Sequence, residues 1–177
     1  MAAQRKYKNT GAYLRELYDS LVENLHRHLA KEGYGEISPS HGLVFQYLEE
    51  GGSRITTLAA RAGMTKQSMS ALVYQLEDYG YLKRKPDPED ARAVLFYLTT
   101  KGQTLRSKAQ GVNYKFEQKW EQTLGPEQYK KFREMIQKLA EAEARNSRAS
   151  NANDTTKSWF FIRPAHSLSV GIAKCVG

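Results

Sequence analysis

The chain has 177 residues, 40% of them apolar and 26% charged, enough for one domain with its own core, or one domain with a dimerisation arm, without staples. Its formal net charge of +8 points to a polyanion as partner. A single cysteine, Cys175, excludes a disulfide framework and suits a reducing compartment.

Residues 1–9 are basic and polar and read as a loose arm without an apolar signal core. No apolar run approaches the ~20 residues that span a bilayer, so a cytoplasmic protein is expected. The first helix is expected from Thr10 to Lys31, where Leu14, Leu17, Tyr18, Leu21, Leu25 and Leu29 keep helical spacing. Gly33 and Gly35 end it. Ser38 then caps a second helix with Pro39 at its first position, where the missing amide costs nothing. That helix is expected to run to Gly51-Gly52.

The most informative stretch is Ser53 to Thr99. Arg54-Ile55 reads as extended, and Thr56 as the cap of a short helix that Gly63 stops, since glycine adopts left-handed backbone angles cheaply. Thr65 caps a second helix, Lys66 to Tyr79, with Met69, Leu72, Val73 and Leu76 on one stripe. Two helices joined by a short turn holding a glycine make a helix-turn-helix. Tyr81 to Arg84 and Val94 to Leu98 read as strands, with Lys85 to Arg92 as a polar turn between them: a hairpin wing with a charged tip. Residues 54–106 carry nine Lys/Arg against five acidic residues.

Thr99 caps a long helix, Thr100 to Thr123, which Gly102 and Gly111 weaken slightly. Pro126 opens a last helix to Arg145, with Tyr129, Phe132, Ile136 and Leu139 on one face. From Asn146 the composition is that of a linker, followed by the apolar cluster Trp159-Phe160-Phe161-Ile162. The fold class is therefore mostly α with a small β-hairpin wing: a winged helix-turn-helix domain plus a helical dimerisation arm. The organisation reads as an N-terminal arm and first dimerisation helix (1–35), a winged reading domain (36–99), C-terminal dimerisation helices (100–145) and an extension (146–177).

The residues LAARAGMTKQSMSALVYQLEDYGYLKR, followed by DPEDARAVLFYLTTKG, resemble the multiple-antibiotic-resistance regulator (MarR) family. The wing pattern is the most specific part, and the resemblance covers roughly residues 10 to 145. It implies a homodimeric winged-helix regulator, a repressor of a pseudo-palindromic DNA operator, that responds to a small-molecule effector. The chain departs from the family at Ala71, where many members carry Arg, so one usual DNA contact is expected to be missing.

Helix-turn-helix proteins place the first turns of the second helix in the major groove. Thr65, Lys66, Gln67, Ser68 and Ser70 are the candidates there; Gln can pair with adenine and Lys with guanine. The resemblance assigns Arg92 to the minor groove, with Asp90 orienting it. Lys83, Arg84 and Lys85 flank the wing and are expected to touch phosphate. Family effector pockets lie where the first, second and fifth helices meet, which by position offers Tyr18, Leu21, His41, Phe45 and Leu48. Gly42 leaves room there. Each of these five also reads as ordinary core.

No cofactor is expected. His26 and His28 are two apart on a helix, point in different directions and make a poor metal pair. No phosphate loop, dinucleotide fingerprint, zinc-protease motif or nucleophile elbow occurs, so an enzyme is not expected. The alternatives to a sequence-specific regulator are a winged-helix module for protein interaction and nonspecific architectural DNA binding.

Overall fold

The computed structural model describes residues 8–153. The N-terminal arm before them, and Trp159 to Ile162 and Cys175 beyond, lie outside the described residues. The chain divides into two compact units, 1–126 and 127–177.

The first unit opens with α1 (Thr10–Lys31), capped by Asn9, whose side chain accepts the Ala12 amide at 2.9 Å. Then come α2 (Pro39–Tyr47), α3 (Ile55–Arg61), α4 (Lys66–Asp78), the antiparallel pair β1 (Leu82–Asp87) and β2 (Asp90–Leu98), and α5 (Thr100–Leu124). Both α3 and α4 end on a glycine in the left-handed region: Gly63 at φ 61° and Gly80 at φ 78°. In each case the next amide, Met64 or Tyr81, reaches back to the carbonyl of Ala59 at 2.9 Å or Leu76 at 2.8 Å. That closes the helix and reverses the chain, which sets the helix-turn-helix angle and launches the wing.

One core joins these elements. Val44, Leu58, Met69, Val73, Leu76, Tyr81 and Phe96 are fully buried in it. The apolar stripe of α4 faces inward as its spacing predicts, because residues three and four apart share a helix face. Gly102 is buried in the first turn of α5, and a Cβ there would stand 2.2 Å from the Tyr81 carbonyl oxygen. Its cost in helix propensity is thus the condition for α5 to lie against the root of the wing.

Several expected boundaries shift. α2 stops at Tyr47 rather than Gly51, because Leu48 turns extended (ψ 121°) into the core. α3 starts at Ile55 with Arg54, not Thr56, as its cap. Ser53 ends the extended stretch by exchanging both backbone bonds with Phe96, at 3.0 and 3.1 Å, and Ile55 enters the core at 8% exposure. The strands also run further than expected, leaving a tight turn between Asp87 and Asp90. Pro86 pairs with Val94 inside β1; in a two-stranded ribbon each strand has an open edge, where a missing donor is tolerated.

The second unit is described by α6 (Pro126–Asn153). The helix continues past Arg145 to Asn153, a stretch that holds no glycine or proline to break it. Met135 and Leu139 on it are 58% and 64% exposed. Among the described residues no helix is long and apolar enough to cross a membrane.

Candidate DNA-binding face and ligand cleft

The start of α4 is a capped, exposed, polar ridge. Thr65 accepts the Ser68 amide at 3.1 Å and donates its hydroxyl proton to Ser68 Oγ at 2.9 Å. Lys66 and Gln67 are exposed beside them, and Ser70 is half-buried with its hydroxyl bonded to the Lys66 carbonyl at 2.8 Å. No acidic residue sits in this first turn. The free amides of the turn and the Lys66 charge leave it positive.

The hairpin that follows α4 separates residues that the sequence groups together. Side chains alternate across a strand, so Lys83 and Lys85 lie on one face of β1 and Arg84 on the other. The two lysines border a polar hollow of ≈ 460 Å³ with Glu49, Glu50 and Tyr97. Arg84 turns back onto α4. Its Nε donates to Glu77 Oε1 at 2.7 Å, its Nη2 pairs with Glu77 Oε2, and its guanidinium lies 5.5 Å from the Tyr74 ring centre. The pair with Glu77 raises the Arg84 pKa further above its ordinary value.

Arg92 lies inside β2, not in the turn, near the register shift between Pro86 and Asp87. Its side chain is exposed, and among the described residues it makes no ion pair. Asp90 does not clamp its guanidinium: Asp90 Oδ1 accepts the Arg92 backbone amide at 3.1 Å, and Oδ2 stands 3.9 Å from Arg54 Nη1. The residue that anchors the wing is Asp87, which the sequence reading left inside a polar turn. Its carboxylate is buried, accepting the Glu89 amide at 2.9 Å and Arg54 Nε at 2.6 Å. Those two bonds, the Glu89 amide first, hold its pKa below the ordinary 3.8. A buried aspartate needs partners, but which arginine supplies one, 33 residues away, is not visible in the local pattern.

A cleft of ≈ 510 Å³ opens among α1, α2 and α5. Tyr18, Leu21, Phe45 and Leu48 line it, as does Gly42, where an added Cβ would meet nothing within 4 Å. His41 does not line it. Its Nδ1 accepts the Ser38 amide at 3.0 Å, which leaves the proton on Nε2 to donate to Gln75 Oε1 of α4 at 3.0 Å. His41 therefore ties the start of α2 to the recognition helix, because position N3 of a helix returns a bond to the cap. His26 does line the cleft; its Nδ1 donates to the Ile37 carbonyl at 2.9 Å. Burial, outweighing that bond, lowers its pKa from 6.5, and nearby His41 adds to the shift.

Arg106 and Asn113 line the cleft from α5 and were not singled out by the sequence reading. Arg106 Nη2 donates to the carbonyls of Phe45 and Leu48 at 3.0 and 2.7 Å, closing the end of α2. Its Nε, and Oδ1 of Asn113, are buried without a hydrogen-bond partner. An unpaired buried polar atom costs about 1–3 kcal/mol, which is a signal only packing can reveal. Among the described residues no three His, Cys, Asp or Glu side chains are grouped to hold a metal ion.

The model of the MarR family matches residues 36–93. No curated protein matches the chain. Among solved structures, a transcriptional regulator from Thermotoga maritima is 30% identical over 77% of this chain and 94% of its own, with a TM-score of 0.55. MepR of S. aureus, solved with DNA, is 19% identical over 77% of this chain and 99% of its own, with a TM-score of 0.63. A MarR family protein of Mycobacterium tuberculosis, solved with salicylic acid, is 23% identical over 77% and 99%, with a TM-score of 0.59. With two antiparallel strands following the helix-turn-helix, and with this family model and these relatives, the chain belongs to the MarR family of winged-helix transcriptional regulators.

Proposed function

We propose that the protein is a homodimeric repressor that binds a pseudo-palindromic DNA operator and releases it when a small molecule fills the α1–α2–α5 cleft. The observation that carries the reading is the exposed polar start of α4, Thr65 to Ser68, together with a wing whose Arg92 is exposed and, among the described residues, outside any ion pair. In this reading Lys66 and Gln67 meet base edges in the major groove, and Thr65, Ser68 and Ser70 support the approach. Arg92 enters the minor groove, where narrow A/T-rich stretches attract arginine. Asp90 sets the backbone at Arg92. Lys83 and Lys85 meet phosphate, with Arg84 the weakest of the three because Glu77 already pairs with it.

The dimer reading rests on apolar side chains that the described residues leave open: Tyr13, Leu14 and Tyr18 on α1, at 46–58% exposure, and Met135 and Leu139 on α6. Residues 36–99 would be the reading domain, with 1–35 and 100–145 forming the arm, in the cytoplasm where the DNA lies. A twofold protein reads two half-sites, which suits a palindrome. MepR with DNA and the salicylate complex support the DNA and effector parts by similarity of fold.

The test is a titration of the protein on a palindromic fragment from its own upstream region in excess mixed-sequence DNA, with sedimentation in parallel. Retained binding by a species of twice the 20.1 kDa chain is expected. Binding abolished by the competitor would favour architectural DNA binding, and a strict monomer would remove the palindrome argument.

A further inference from the structure

Arg54 stands outside the wing, yet its guanidinium faces both aspartates of the wing's turn. It is the N-cap of α3, with extended backbone. Its neighbours are fixed on either side, Ser53 by two backbone bonds to Phe96 and Ile55 by burial in the core. From that base its Nε donates to Asp87 Oδ2 at 2.6 Å, and its Nη1 stands 3.9 Å from Asp90 Oδ2. The other oxygen of each carboxylate holds a backbone amide of the wing. Asp87 Oδ1 accepts from Glu89 at 2.9 Å, and Asp90 Oδ1 accepts from Arg92 at 3.1 Å. A chain of contacts thus runs from the start of the helix-turn-helix, through one side chain, to the backbone of Arg92. A planar guanidinium can serve two acceptors at set angles; an ammonium is a point charge on a flexible stem and does not fix them.

We propose that Arg54 is the positioning residue of the wing: it presets the turn and the backbone at Arg92, so that this side chain enters the minor groove without further ordering. The proposal rests on reading Arg92 as a DNA contact. Arg54 itself meets no base or phosphate, because its charge is taken up by Asp87 and Asp90. Without the fork, the buried Asp87 carboxylate loses its cation, a state that the turn relieves by opening to water. Arg92 is then carried on a loose turn. DNA must order that turn as it binds, which weakens association while leaving the reading ridge of α4 as it was.

The test uses the full chain and the palindromic fragment from its own upstream region, with A·T-rich or G·C-rich flanks, beside scrambled duplex. The variants are Arg54→Lys, which keeps the charge without the fork, Asp87→Asn, Arg92→Ala and the double variant of Arg54→Lys with Arg92→Ala. Arg54→Lys is expected to weaken operator binding roughly fivefold, the size of coupling within one contact network. It should lose the preference for A·T flanks, which a minor-groove arginine supplies, and keep the preference for operator over scrambled duplex. Asp87→Asn offers one oxygen where two are in use; it should weaken binding likewise, although it makes the wing more positive. In the double variant Arg54→Lys should add nothing to the loss from Arg92→Ala. Parent-like binding by Arg54→Lys or Asp87→Asn, losses that add in the double variant, or loss of operator preference together with flank preference would each overturn the positioning role while Arg92 stays a DNA contact. Parent-like binding by Arg92→Ala overturns that reading, and the proposal with it.

Discussion

Thr65, Lys66, Gln67 and Ser68 stand in solvent at the start of α4, whereas Arg106 and Asn113 keep polar atoms out of solvent along one wall of the cleft. Groups of the first kind give up water only when a partner replaces it. They gain little from any one contact, and they discriminate by leaving a wrong base poorly paired. Groups of the second kind gave up water when the chain folded. Their desolvation cost is already part of the fold. The same kinds of atom are therefore open to a partner on one face and sealed by packing along the other.

The largest effect is expected from Gly102→Ala, which strikes both regions because Gly102 joins α5 to the root of the wing. Helix propensity alone would stabilise the variant by up to ~1 kcal/mol. The contact with the Tyr81 carbonyl, which a Cβ would approach to 2.2 Å, should reverse the sign and cost about 3 kcal/mol. A lowered thermal midpoint, with DNA and ligand affinity falling together, is the expected readout; an unchanged midpoint would uncouple the two regions.

Next come the paired substitutions on the reading face. Gln67→Ala should cost ~1–3 kcal/mol on the operator, much less on scrambled duplex, and leave the salt slope alone. Arg92→Ala should weaken both duplexes and reduce the slope by about one counterion. Titrations at several salt concentrations separate the two; equal losses on both duplexes for Gln67→Ala would move base reading elsewhere.

In the cleft, His26 should make stability depend on pH. Its folded pKa is lowered by burial, so the neutral form is favoured in the fold. The contribution is present above the ordinary value of 6.5 and is lost as pH falls from there through the lowered value. Thermal midpoints across that window should fall with pH in the parent chain and flatten in His26→Gln. The smallest effect belongs to Arg84→Ala. With Glu77 already opposite that charge, operator affinity should barely change, while Lys83→Ala and Lys85→Ala each lower the salt slope. A full counterion lost with Arg84 would show that the Glu77 pair opens on DNA.

These contrasts were unequally legible in the sequence. The ridge on α4 was readable because a cap, a stripe and a stop act within one helix: Thr65, the Met69–Val73–Leu76 face and Gly80. The wing pattern was readable, but its strand lengths were not, since Pro86 and Asp87 look like turn residues until a partner strand and Arg54 are in place. The cleft residues on α1 and α2 could be named by position, yet His41 turns to Gln75, and nothing local distinguishes a histidine that faces a cleft from one that faces a neighbouring helix. Arg106 and Asn113 were invisible because an unpaired atom is a property of the packed state. Gly102 read as a helix weakness, when the deciding distance is to a carbonyl in another element.

The double backbone bond between Ser53 and Phe96 has a consequence for how the molecule opens. It stitches the chain entering α3 to the root of β2, with the Ser53 hydroxyl also accepting the Glu49 amide at 3.1 Å. The amide protons of Ser53 and Phe96 can exchange with solvent only when both segments part, so they should be released as one cooperative step. Beyond that stitch the hairpin is a two-stranded ribbon whose turn is tied back to Arg54 through Asp87. Deuterium uptake should therefore be slowest at Phe96, with the base of the wing exchanging in step with the helix-turn-helix.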